Sequence, residues 1–318
     1  MSRGASSPSE PAGADAPSGV AGARARGYLA ALIVLAAAVV AVEACLVLPG
    51  HLLAAQIADA ALVALLVNIG PRGGSRPSER ATATLAALRA LALVPLVRVV
   101  GLGLPLRDWS DAVGVLLLAL AVGAATLLMA PAAGVPRRAL ATACRAFGDF
   151  TPVAAGAGLG FVAFLAGAPA LWPRSADGSH VATALAAAIC AAVVEELLFR
   201  GVLQMTFQRV AGTLGALAAL GALAATAIFA ATYLDTGSVA LVLTYALAGL
   251  VFARAVLHAA ALGSAIAGHV LLVVGAGIVW PIVFDRVRPF ELHEPLATVL
   301  LTIAIAVAGA SMVSDGAP

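Results

Sequence analysis

Apolar stretches of about twenty residues recur along the whole chain, and few charges interrupt them. No water is available in a bilayer core to satisfy backbone N–H and C=O groups. Runs of this length therefore have one structural solution, the membrane-spanning helix. Ten spans are expected, at about 28–48, 52–69, 81–104, 112–130, 152–171, 181–199, 212–234, 239–257, 264–284 and 295–313. The fold class is all-α, a polytopic helical membrane bundle. Composition agrees: 62% of the 318 residues are hydrophobic and 11% are charged, against about half and a quarter in a soluble domain. A net charge of +2 makes no case for nucleic acid, and none is expected as a partner. Membrane lipid is.

The first 26 residues are rich in Ser, Gly, Pro and Ala and lack the apolar content to fold, so a disordered tail is expected over 1–26. Arg24 and Arg26 precede an apolar run too long for an ordinary signal peptide, which reads as an uncleaved first span. The N-terminal membrane helices then occupy 27–150 and a second unit 151–314. Pro95 is expected to kink the third span. The segment 136–150 carries Arg137, Arg138 and Arg145 among small apolar residues and reads as an interfacial helix. Cys45, Cys144 and Cys190 lie far apart and read as small buried hydrophobes.

Arginine placement orients the bundle. With the N-terminus in the cytoplasm, Arg24, Arg26, Arg72, Arg76, Arg80, Arg137, Arg138, Arg145, Arg209 and Arg254 fall inside. Arg107, Arg174, Arg286 and Arg288 fall outside. This is the bias of the positive-inside rule. It predicts a multi-pass protein of the cell's inner or plasma membrane with both termini cytoplasmic. It also places the end of the sixth span, taken as residue 199, on the cytoplasmic side.

That span holds the most expensive residues in the chain: Glu195-Glu196-Leu197-Leu198-Phe199-Arg200-Gly201. A mid-bilayer charge costs about 2.5–3.5 kcal/mol on insertion scales. Glu196 and Arg200 are one helical turn apart, in the favourable acid-before-base order. Arg200 can hold Glu196 while Glu195 points elsewhere. An ion pair snorkelling at a helix end explains one Glu and one Arg; it leaves the second Glu without a partner, which argues for a site. Glu43, Asp59, Arg89 and Arg98 also fall in apolar runs. They form no recurring pattern and can pair across helices.

Glu-Glu-x-x-x-Arg followed by Gly201 resembles the first motif of the CAAX protease and bacteriocin-processing family. This family of intramembrane proteases includes the type II CAAX prenyl endopeptidases. The resemblance runs over about 182–275. The second family motif, Phe-x-x-x-His, is matched by Phe229 with Tyr233 in place of the His. The glycine-rich helix and its Gly-Ser turn are matched by Gly249 to Arg254 and by Leu262-Gly263-Ser264. The third motif, His-x-x-x-Asn, keeps His269 and has Val273 for the Asn. The resemblance implies an endopeptidase that hydrolyses a peptide bond with a Glu-activated water near the cytoplasmic membrane face. Its substrate would be a membrane-associated or prenylated peptide. Glu195 would be the base, Glu196 and Arg200 would position it, His269 would be a surviving oxyanion donor, and Phe229 would support them. A buried Glu can gain useful basicity. Losing an oxyanion donor typically costs 10²–10³ in rate, so weak activity is expected. No metal or cofactor is expected, since no His-Glu-x-x-His occurs. Two other readings stay open: an inactive pseudoprotease kept as a membrane binding or scaffold protein, and a transporter, for which the chain shows no convincing internal repeat.

Overall fold

A computed structural model describes residues 18–70, 77–103, 112–171, 178–215, 218–285, 287–289 and 292–315. The described residues are helical, with no strand among them. The helices are α1 (Ser18–Val42), α2 (Leu52–Asn68), α3 (Glu79–Leu91), α4 (Leu93–Gly103), α5 (Ala112–Met129), α6 (Arg137–Arg145) and α7 (Thr151–Leu165). They continue as α8 (Gly178–Glu196), α9 (Met205–Thr213), α10 (Ala218–Ala231), α11 (Val239–Ala259), α12 (Leu262–Val274), α13 (Trp280–Val283) and α14 (Glu294–Asp315). Three π-helical stretches, Glu43–Val47, Leu197–Gln204 and Gly275–Val279, continue α1, α8 and α12. Eight helical segments are long and apolar enough to cross a membrane, and Leu52–Asn68 and Thr151–Leu165 are shorter apolar helices. Together they account for the ten expected stretches and make a multi-pass membrane protein.

Several boundaries differ from expectation for identifiable reasons. The first helix starts at Ser18, inside the expected tail, while residues 1–17 lie outside the described residues. The expected kink falls at Ala92, between α3 and α4. Pro95 has no N–H for the carbonyl of Leu91, so the ladder breaks one turn ahead of the proline. The segment expected to be interfacial forms the short amphipathic helix α6. Leu140 and Ala143 are buried beneath it and its arginines face out. The cysteines are a correction: Cys45 is exposed on the apolar surface, and Cys144 and Cys190 are half-buried.

The largest correction concerns the sixth span. It does not end at residue 199; helix runs unbroken over His180–Thr213, 34 residues. Hydropathy suggests a stop at the charged motif, but Arg200 is buried in the bundle as an ion pair with Glu196 and over the Phe229 ring, so these charges do not mark a helix end. Glu195 therefore lies about 27 Å before Thr213 at the usual rise per residue, deep in the bundle rather than at a helix end.

Polar contacts define the two ends of the bundle. At one, Arg80 donates to the Thr213 carbonyl, Arg209 to the Gly134 carbonyl, and the Gly263 N–H to the Ala146 carbonyl. At the other, the Ser238 hydroxyl donates to the Ala166 carbonyl, the Leu171 N–H to Gly277 and Arg288 to Phe164. Between them, α12 crosses α7 at backbone contact. A Cβ on Gly268 would stand 2.2 Å from the Pro152 carbonyl oxygen, and Gly156 is as tightly faced by Gly268. Small residues permit this approach, and it fixes the depth of His269.

Candidate active site

Three helices converge on one set of polar side chains. α8 supplies Glu195 and Glu196 and its π continuation Arg200; the end of α10 supplies Phe229 and Tyr233; α12 supplies His269. The π winding after Glu196 rotates Arg200 and its neighbours relative to the residues before it. Such stretches occur mostly at functional positions.

The contacts form a chain. Arg200 Nε lies 3.6 Å from Glu196 Oε2, with both side chains essentially inaccessible. Glu196 Oε1 is 2.9 Å from Nδ1 of His269, which is also fully buried. His269 Nε2 is 3.6 Å from Glu195 Oε2, and the Glu195 side chain is 32% exposed. The Tyr233 hydroxyl donates to the same Glu195 oxygen at 2.8 Å. The arrangement thus separates two adjacent carboxylates: Glu196 is sealed between a guanidinium and an imidazole, and Glu195 is accessible.

Aromatic rings wall this chain. The Arg200 guanidinium sits 4.2 Å from the Phe229 ring centroid, a desolvated cation–π contact. Phe229 packs edge-on to Phe199, Tyr233, Tyr245 and His269. Gly249 of α11 faces the guanidinium; a Cβ there would lie 2.9 Å from Arg200 Nη2. Any larger residue would push α11 off the site. Gly201 leaves room for Leu140 of α6, whose Cδ1 would stand 2.5 Å from a Cβ at that position.

A cavity of about 190 Å³ opens onto this chain. Glu195, Tyr233 and Val273 line it; Glu196, Arg200 and His269 stand behind the wall. Much of the remaining lining is apolar and includes Val94, Val97, Leu198, Leu241 and Ala276. Val273 sits one turn beyond His269, a side chain with no hydrogen-bonding capacity at the position of the family's amide.

The motif residues Glu195, Glu196, Arg200, Phe229, Tyr233, His269 and Val273 are all in this cluster or on its cavity. Two features were missed. Tyr245 of α11 stacks on Tyr233 with ring centroids 3.7 Å apart; a Tyr in a glycine-rich helix carried no signal of its own. Arg98 lines the cavity too, and its network was underrated. It pairs with Glu43 through Nε at 2.5 Å and Nη2 at 2.7 Å, with Asp235 at 3.1 Å, and donates to the Thr232 carbonyl. These residues are scattered in sequence and are joined by the fold. Arg89, by contrast, donates to the Ala132 carbonyl, and Asp59 is buried outside the cavity lining. Among the described residues no group of His, Cys, Asp and Glu is placed to hold a metal ion.

The fold and this cluster define a class: a helical membrane protein with a paired-carboxylate site inside its bundle. Residues 177–275 match a family model described as type II CAAX prenyl endopeptidase Rce1-like, in agreement with the resemblance carried by the motifs. The matched segment runs from the start of α8 to the end of α12 and contains every residue of the Arg200–Glu196–His269–Glu195–Tyr233 chain. No curated protein and no solved structure matches the chain.

Proposed function

We propose that the protein is an intramembrane endopeptidase related to the CAAX-processing enzymes, hydrolysing a peptide bond of a membrane-associated substrate. The observation that carries this reading is the division of labour between the carboxylates. Glu195 reaches the cavity, while Glu196 is locked by Arg200 and His269 behind it. Hydrolysis by general-base activation of water needs one accessible group to take the proton, held in place by neighbours that do not themselves react. Glu195 has that position. Glu196 fixes the His269 ring and Arg200 neutralises Glu196.

Two substitutions limit the rate. Tyr233 gives Glu195 a hydrogen bond, but near neutral pH a phenol is a far poorer base than an imidazole. Val273 offers the developing oxyanion nothing. His269 Nε2, 3.6 Å from Glu195, is the remaining nitrogen able to approach that charge.

A second reading, a pseudoprotease that binds membrane peptides without cutting them, is favoured by one observation. The Tyr233 ring is stacked on Tyr245 and its hydroxyl occupies the Glu195 oxygen nearest His269, as in a site repacked for stability. Restoring the family residues distinguishes the two. In the hydrolase reading, Tyr233→His with Val273→Asn raises cleavage of a reconstituted membrane peptide by about 10²-fold or more, and adding Glu195→Gln abolishes it. In the pseudoprotease reading the double variant cuts nothing.

A further inference from the structure

The cavity has a direction. Its lining includes Pro169 and Leu171, from the connection after α7, and Asp235 and Thr236, from the turn between α10 and α11. Pro169, Asp235 and Thr236 are exposed. These residues belong to the end of the bundle fastened by the Ser238–Ala166, Leu171–Gly277 and Arg288–Phe164 contacts. Glu195, deep in the bundle, is reached from this end through the cavity it lines, and it accepts from Tyr233, five residues before Ser238.

The opposite end carries the arginines. Arg80, Arg137, Arg138, Arg145, Arg209 and Arg254 are all exposed or half-buried around the Thr213–Gly134–Ala146 end. The amphipathic helix α6 lies there, followed by Phe147 and Phe150, which are 69% and 73% exposed, as befits a helix lying in a membrane surface. The described charges at the cavity end are mostly acidic: Asp235, Asp285 and Glu294 beside Arg288. Arginine asymmetry of this kind assigns the arginine-rich end to the cytoplasm.

We infer that the cavity opens on the non-cytoplasmic face of the membrane, so that the site receives its substrate from that side. The motif alone, read as a helix end, gave the opposite direction. The continuous helix to Thr213 reverses it, because Arg209 rather than Arg200 marks the cytoplasmic end. The substrate class follows, and this step rests on the hydrolase reading above. It is a membrane-anchored peptide whose cleaved bond lies in or just beyond the non-cytoplasmic leaflet, and not a prenylated C-terminus presented from the cytosol. The charge of the mouth agrees. Arg98 is already paired with Glu43 and Asp235, and with Glu195 the carboxylates outnumber it. Such a mouth disfavours a free C-terminal carboxylate and favours a peptide with a basic residue beside the bond.

The test is independent of activity. In a full-length chain with Cys45, Cys144 and Cys190 changed to Ala, single cysteines are placed at the mouth (Thr236→Cys or, separately, Pro169→Cys) and at the far end (Arg138→Cys). Intact cells are treated with a membrane-impermeant maleimide before and after permeabilisation. The expected result is near-complete labelling of the mouth cysteines in intact cells, and labelling of Arg138→Cys only after permeabilisation. Mouth cysteines that react only after permeabilisation, or in neither state, overturn the inference, as does labelling of Arg138→Cys in intact cells. A protein that labels as expected yet cuts no peptide would retire the hydrolase reading and leave the direction of the cavity standing.

Discussion

Removing the Arg200 guanidinium is the perturbation whose cost follows most directly from the structure. Arg200 and Glu196 are 1% and 0% exposed and sit 3.6 Å apart. Neither can turn to water when its partner goes. Breaking a buried pair by removing one member typically costs about 3–5 kcal/mol, because the remaining charge is left without compensation. Arg200→Met keeps most of the volume and some contact with Phe229, so cavity formation adds little. His269 still contacts Glu196 at 2.9 Å, which places the expected loss near about 3 kcal/mol. Glu195→Ala is a useful contrast. It removes one hydrogen bond from Tyr233 at a side chain that water already reaches, worth about 1 kcal/mol. Stability measured by SDS titration of the protein in mixed micelles should therefore fall about 2 kcal/mol further for Arg200→Met than for Glu195→Ala. Adding Glu196→Gln to Arg200→Met removes the stranded charge and should recover at least half the loss. An Arg200→Met protein within about 1 kcal/mol of wild type would refute the reasoning, as would a Glu195→Ala protein that is the less stable of the two.

Three further outcomes are expected. Gly268→Ala should destabilise the bundle by about 1–3 kcal/mol or more, since its methyl would meet the Pro152 carbonyl at 2.2 Å; the same SDS titration reads it, and a neutral result would mean that α7 and α12 are not in backbone contact. Arg98→Ala leaves Glu43, 1% exposed, without its partner, and should cost about 3–5 kcal/mol; Arg98→Met with Glu43→Gln should recover much of that in thermal unfolding in detergent. Gly249→Leu should displace α11 from Arg200 and lower the yield of folded protein in size-exclusion chromatography, whereas Gly158→Leu, with open space around its Cβ position, should not.

How much of this was readable in advance depended on whether the signal was local. Ten apolar stretches were legible because span length and polarity are properties of the sequence itself. Their ends were less so. Hydropathy stopped the sixth span at residue 199, because the burial of Arg200 against Phe229 of α10 is a tertiary contact that hydropathy does not register. The pairing of Glu196 with Arg200 was legible, being one turn apart on a single helix. The contact of His269 with both glutamates was reached only through the resemblance, because it joins residues 73 positions apart. Arg98, Glu43 and Asp235 were visible as costly charges, but nothing local to any of them named its partners. The π-helical stretches that continue α1, α8 and α12 had no sequence signature at all.

The central claim is that Glu195 is the working base of an intramembrane hydrolase. The most direct measurement is cleavage of a panel of membrane-anchored peptides, prenylated and unprenylated, by the purified protein in lipid vesicles. Products are read by mass spectrometry for wild type, Glu195→Gln and the Tyr233→His, Val273→Asn variant. Slow wild-type cleavage is expected, with a marked gain in the double variant and no cleavage in Glu195→Gln. Cleavage by wild type that Glu195→Gln leaves unchanged would contradict it, because the chemistry would then lie elsewhere in the bundle.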